Sequence, residues 1–166
     1  MKHLKTCVTF VSFLMLGVII SCSLMSCGSD NDNRENQAKQ IVKSIFEEGY
    51  VNHNYDYVMD CVAEQYIDHS PASARSNTDA VGILNIVESQ FPDMKIEIID
   101  IFAEGEMVST RIRFEGTHSS ECYGVAPTGK KIKFEALENF RVRDGKIVES
   151  WGYWPDNEIL HQLTSD

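Results

Sequence analysis

The sequence predicts an α+β fold: a curved antiparallel sheet with three N-terminal helices packed on it. Three observations carry this. Apolar residues recur at helical spacing as far as Phe91, and from Met94 onward they alternate every second residue. Asp144-Gly145 then marks a tight turn between two alternating runs.

Each element follows in chain order. Ala38, Ile41, Val42, Ile45 and Phe46 form one face of a first helix, and Tyr50 continues the stripe. After a break at Asn52-His53-Asn54, Tyr57, Val58, Cys61 and Val62 predict a second, short helix. Tyr66, Ile67 and His69 read as a brief extended piece ended by Ser70-Pro71. Asn77 or Thr78 can cap a third helix with the stripe Val81, Leu84, Val87 and Phe91, which Pro92 ends. Four antiparallel strands follow. Met94, Ile96 and Ile98 alternate with Lys95 and Glu97, and Val108 to Phe114 alternate with Ser109, Arg111 and Arg113. Ile132 to Val142 make the third strand, and Ile147 to Trp154 return after the turn. Each strand has one apolar face for the helices to cover. There is no internal repeat.

The first residues belong to another class. Lys2, His3 and Lys5 form a positive start, and Val8 to Ile20 is almost purely apolar. Small residues follow, then the polar run Gly28 to Asn33. This is the layout of a secretory signal peptide; a membrane-spanning helix would need about 20 apolar residues. Leu24-Met25-Ser26-Cys27 resembles the lipobox of bacterial lipoproteins, and Ile19-Ile20-Ser21-Cys22 matches it less well. The resemblance implies cleavage before Cys27 and lipidation of its thiol, with palmitate-type acyl chains anchoring the chain to a cell-envelope membrane. Asp30 and Asp32 resemble the surface-export tether of some Bacteroidetes lipoproteins. The expected organisation is a signal peptide over 1–26, a polar tether over 27–35 and one domain over 36–166.

Of 166 residues, 43% are hydrophobic, an ordinary globular value. The 15 basic residues stand against 25 acidic ones. Cleavage would remove two lysines and no acid, leaving 13 against 25, a net of −12. That excludes a nucleic-acid partner, which requires a basic surface. Five cysteines are too few for a disulfide-stapled scaffold. Of these, Cys61 and Cys122 remain beside Cys27 in the mature chain, either paired or as buried free thiols.

Strand parity assigns faces. Glu138 shares the parity of Phe134, Ala136, Phe140 and Val142, so it points where its neighbours bury apolar groups. His118 shares the parity of Val108, Thr110, Ile112 and Phe114. With Asp144-Gly145 as a two-residue loop, Arg143 pairs with Lys146 and Glu138 with Trp151, placing a carboxyl beside an indole. A carboxyl in such a setting holds its proton and can give it to a substrate oxygen, and a neutral imidazole nearby can accept one. The other reading is structural: Glu138 pairs with an arginine or a backbone amide, and His118 caps the loop Ser119 to Glu121. A one-residue bulge would reverse the faces.

His69 shares parity with Ile67 and either lines a pocket or ends a strand. Glu149 has inward parity but lies near the turn. His53 and His161 have no partner pattern. No two histidines have metal-ligand spacing, so no metal site is expected. Gly124 to Gly129 is no phosphate cradle, since no helix follows. Ser119 and Ser120 lack a nucleophile elbow.

Tyr66-Ile67-Asp68-His69, Phe91-Pro92-Asp93-Met94, Gly116-Thr117-His118, Gly124 to Lys130 and Phe140 to Trp151 together resemble the SnoaL-like polyketide cyclase family, also called predicted ester cyclases. The motifs occur in family order from about residue 36 to 163. The resemblance implies a nuclear-transport-factor-2-like cone, a strongly bent sheet around a deep apolar cavity. It implies cyclase-type acid/base chemistry with no metal or cofactor. The family's catalytic Asp maps to Glu138, whose arm is one bond longer, and its cavity histidine maps to His118. Glu138, His118 and His69 would carry the chemistry, with Trp151, Phe140, Phe114 and Tyr66 as walls. A homodimer through the outer sheet face is a further expectation from the resemblance.

Two functions follow. One is a cofactor-independent enzyme acting on a small apolar carbonyl compound. The other is a non-catalytic lipoprotein that holds a small hydrophobic ligand or a partner in the same cavity.

Overall fold

A computed structural model describes residues 26–165, with side chains from residue 30. The signal peptide read from the sequence lies outside the described residues except for Ser26. Helix α1 spans Ser26–Ile45 and so takes in the polar run expected to be an unpatterned tether. Residues from Arg34 onward form one compact unit. No helix among the described residues is long and apolar enough to cross a membrane.

In this unit Ala38, Val42, Ile45 and Phe46 are buried, as their spacing predicts. The chain widens into a π-helical turn over Phe46–Val51. Helix α2, Tyr55–Cys61, is capped by the Asn54 side chain, which accepts from the Tyr57 N–H. It ends one residue earlier than expected, because Val62 already belongs to strand β1, Val62–Asp68. Helix α3, Asn77–Gln90, is capped by Ser76, which accepts from the Asp79 N–H at 3.0 Å. The expected caps, Asn77 and Thr78, lie inside it; the Asn77 amide instead donates to the Met59 carbonyl, tying α3 to α2.

Strands β2 (Lys95–Glu104), β3 (Met107–Thr117), β4 (Lys131–Arg143) and β5 (Lys146–Tyr153) form an antiparallel meander. The sheet order is β1-β5-β4-β3-β2, with β1 parallel to β5. The brief extended piece is therefore a full fifth strand, joined by a long-range pairing that local periodicity does not register. Helix α4, Asp156–Thr164, is a further addition, and it buries Ile159 and Leu163. Asp144 (φ 50°) and Gly145 (φ 77°) both take positive φ, as the expected two-residue hairpin turn requires.

Alternation assigns the faces of β3 and β4 correctly. Thr110, Ile112, Phe114, Ile132, Phe134, Ala136, Glu138, Phe140 and Val142 are all buried. Their outward neighbours form ion pairs, among them Arg111 with Asp100 and Arg113 with Glu135. The register shifts between Ile98 and Asp100 on β2, and between Arg141 and Val142 where β4 pairs with β5; such irregularities bend a strand and raise its local twist.

Candidate active site

The apolar sheet face and the helices line a partly open cavity of about 590 Å³. Glu138 points into it from the middle of β4, within an unbroken run of inward-facing positions. Its pairing partner is Gly152, not Trp151. The expected pairing holds at Arg143–Lys146 and Val142–Ile147, then slips: Arg141 pairs with Glu149 and Asn139 with Trp151. Val148 is the extra residue, so the bulge reverses every later position of β5.

An indole does lie beside Glu138, but it belongs to Trp154. Its Nε1–H donates to Glu138 Oε1 at 3.0 Å. Glu138 is buried, and loss of hydration is the main cause that pushes its carboxyl up from 4.5 to about 8. The Trp154 hydrogen bond opposes this rise, and the negative charge of Asp68 adds to it. The carboxyl therefore keeps its proton at neutral pH. Tyr50 faces the same cavity, and its phenol is raised by burial first and then by Glu138.

Gly152 leaves room for this contact. A Cβ there would stand 3.2 Å from Trp154 Nε1. Gly152→Ala is expected to displace the indole and raise the Glu138 carboxyl above about 8. An NMR titration of the Glu138 side-chain carbon checks this, and an unmoved midpoint counts against the indole as the controlling donor.

The other sequence-predicted residues divide by location. Tyr66 and Phe140 line the cavity with Glu138. His69 sits at its edge, where Nε2 lies 3.0 Å from Glu149 Oε2 and the ring stacks on Trp151 at 4.7 Å. Glu149 also accepts from Arg141 Nε at 2.9 Å. Those pairings hold Glu149 outside, which the bulge also explains. Trp151 forms part of this outer cluster, with Arg141 over its ring at 5.8 Å, and it is not a cavity wall. Phe114 is one layer back, packed on Phe134 and Trp154, both of which line the cavity.

His118 is fully buried, as its parity predicts, but it lies among the residues of the β3–β4 loop and not on the cavity wall. Its Nδ1 accepts from the Thr128 N–H at 3.2 Å, and its Nε2 has no hydrogen-bond partner among the described residues. Phe91, with its ring centroid 5.9 Å away, lies against it and lines the cavity. Cys61 and Cys122 are both free thiols, half-buried and buried respectively.

The sequence reading missed Tyr50, Asp68, Ser150 and Trp154. Asp68 was within reach, since it has the parity of Tyr66 two residues earlier. Ser150 and Trp154 were not, because their faces depend on the bulge. Ser150 Oγ donates to Asp68 Oδ1 at 3.2 Å and is hydrogen-bonded to the Tyr66 hydroxyl. The cavity therefore has apolar walls, one protonated carboxyl, and a polar group of Tyr66, Ser150 and Asp68 on the neighbouring strands.

The SnoaL-like polyketide cyclase family model matches residues 40–163. No curated protein matches the sequence. Among solved structures, one from a Jannaschia species, described as a SnoaL-like polyketide cyclase, superposes with a TM-score of 0.74 at 17% identity, covering 80% of this chain and 94% of its own. IdmH of Streptomyces antibioticus, described as a polyketide cyclase, is 30% identical with a TM-score of 0.69, over 76% of this chain and 98% of IdmH. An LEH-like epoxide hydrolase of M. tuberculosis shares the fold at 16% identity and a TM-score of 0.63, over 78% of this chain and 86% of its own. A family-model match over most of the compact unit, with IdmH 30% identical over three-quarters of the chain, makes this chain a member of the SnoaL-like polyketide cyclase family.

Proposed function

We propose that the chain is an exported, lipid-anchored protein of a bacterial cell envelope whose cavity performs general acid/base chemistry on a small apolar carbonyl compound. The observation that carries this is Glu138. It is a buried carboxyl, protonated up to about pH 8, facing an apolar space large enough for a small molecule. An acid with that proton affinity can protonate a carbonyl or ring oxygen as charge develops there. Trp154 fixes its direction. Ring closure or isomerisation of a conjugated carbonyl compound needs no more than this acid and a base.

The test starts with native mass spectrometry of the purified protein to identify a retained ligand. Turnover of that compound by the wild type, and its loss in Glu138→Gln, supports the enzyme. A second reading is favoured by the place of His118, which is held by Thr128 away from the cavity wall. On that reading the cavity only binds its ligand. Equal ligand affinity in both proteins, with no turnover in either, selects it.

The anchor rests on Leu24-Met25-Ser26-Cys27. Cys27→Ser is expected to abolish palmitate labelling and to move the protein from the detergent phase to the aqueous phase on Triton partition. A Cys27→Ser protein that still follows membranes overturns the lipid anchor. A pair of copies related through the outer sheet face is proposed on family resemblance alone.

A further inference from the structure

We propose that Tyr66, Ser150 and Asp68 form a proton relay that serves as the base of the cavity, on the strands beside Glu138. This rests on the reading of Glu138 as the cavity acid. β1 places Tyr66 and Asp68 two residues apart on one face, and β5 lies beside it with Ser150 paired to Asp68. All three are buried and line the cavity.

The direction of the relay follows from counting donors. Asp68 Oδ1 accepts from the Ser70 N–H at 2.8 Å and from Ser150 Oγ at 3.2 Å. Asp68 Oδ2 accepts from Ser70 Oγ at 2.6 Å. Three donors and no acceptor form the surroundings of a carboxylate, not of an acid. Ser150 has one proton and gives it to Asp68, so the Tyr66 hydroxyl donates to Ser150. The remaining lone pair on the phenol oxygen is left free to accept a proton at the cavity wall. Three buried polar groups cost more than three apolar ones unless they are paired, and here the pairing runs in one direction toward a single charge.

The step balances as follows. A substrate C–H or O–H bond breaks, and its proton goes to Tyr66 Oη. The phenol proton passes to Ser150 Oγ, and the serine proton passes to Asp68 Oδ1, which becomes a carboxylic acid. The electron pair stays on the substrate and moves toward an oxygen that takes the Glu138 proton. The substrate class this fits is a carbonyl compound with an acidic C–H, deprotonated at carbon and protonated at oxygen within one cavity. Release of the Asp68 proton and reprotonation of Glu138 reset the site.

Nitrobenzisoxazole is a suitable probe. Removal of its ring C–H proton breaks the N–O bond and releases a coloured cyanonitrophenolate, so base strength is read directly. The wild type is expected to exceed buffer. Tyr66→Phe and Ser150→Ala are expected to lower kcat/KM by about tenfold or more, and Asp68→Asn by about a hundredfold. Ser150→Thr keeps the hydroxyl on a strand that suits a β-branched residue, and it is expected to retain most of the rate. Solvent-isotope inventories are expected to be curved for the wild type, with several protons moving, and linear for Tyr66→Phe.

Since Asp68 also holds the Ser70 turn, Asp68→Asn can fail to fold, and the Ser150→Ala and Ser150→Thr pair then decides. Turnover no better than buffer in the wild type, or wild-type rates in both Tyr66→Phe and Ser150→Ala, overturns the relay. The acid reading fails separately: a pH profile with no inflection near pH 8 that Glu138→Gln removes discards Glu138 and leaves the relay standing.

Discussion

Glu138→Gln is expected to remove a fall in stability that the wild type shows between pH 4.5 and about 8. In the folded protein the carboxyl holds its proton to about pH 8, and in the unfolded chain it loses it near 4.5. Within that window the native state binds one more proton than the unfolded state. Stability therefore decreases as pH rises and levels off above the folded value. Each pH unit costs about 1.4 kcal/mol, and the window sums to about 5 kcal/mol. That is a large part of the ~5–15 kcal/mol typical of a domain. Gln keeps the oxygen that accepts from Trp154 and has no proton to lose. Urea unfolding of both proteins at pH 5 and pH 9 isolates this group, because the other titrating groups are common to both. Near-equal stability at pH 5, with the variant ahead by several kcal/mol at pH 9, is the expected pattern; parallel curves would remove the raised carboxyl from the account. Turnover of a substrate that needs acid assistance is expected to fall ~10²- to 10⁴-fold in the same variant. The change that stabilises the protein thus disables it.

How much of this site is legible in the sequence depends on where register is kept. β4 runs without interruption through Glu138, so counting by twos from Phe134 places its side chain inside. The same count places His118 inside from Phe114, through the whole of β3. On β5 the count fails at Val148, which no residue of β4 opposes. One extra residue puts Trp151 with His69 and Arg141 on the outer face, and it turns Ser150 inward. The indole that reaches Glu138 then comes from beyond the strand end. The bulge at Val148 carries no glycine to mark it, so the sequence predicts the indole beside Glu138 by type but not by position. The pairing of β1 with β5 was hidden for another reason. It joins residues some eighty positions apart, and local periodicity carries no information about that distance. Helix α4 offers only Ile159, Leu160 and Leu163 as a pattern, little more than one turn, which does not stand out from a loop.

Phe114→Ala is expected to cost ~3–5 kcal/mol, the usual penalty for emptying a buried aromatic site. The ring is fully buried at the centre of the sheet face. It stacks on Phe134 at 5.3 Å and lies 4.8 Å from Trp154, with Tyr50 edge-on at 5.7 Å and Phe46 at 6.4 Å. Phe134 and Trp154 on one side and Phe46 and Tyr50 of the π-helical turn on the other surround the hole with large rings, which places the cost toward the upper end. Denaturant midpoints of wild type and variant measure it, and a loss under about 1 kcal/mol would mean the cluster is redundant. The consequence for chemistry is read in Phe114→Leu, which retains most of the volume and is expected to cost far less. Leucine cannot stack on Trp154, so the indole loses the face that holds it. The Nε1–H then spends less time on Glu138, and that hydrogen bond is what restrains the carboxyl's rise. The Glu138 midpoint is therefore expected to move above about 8 in Phe114→Leu, although Phe114 touches neither the carboxyl nor the cavity. An unshifted midpoint in a folded Phe114→Leu protein would show that Trp154 is held by Phe134 alone. A shifted one would tie the aromatic core to the proton affinity of the site, through a single indole.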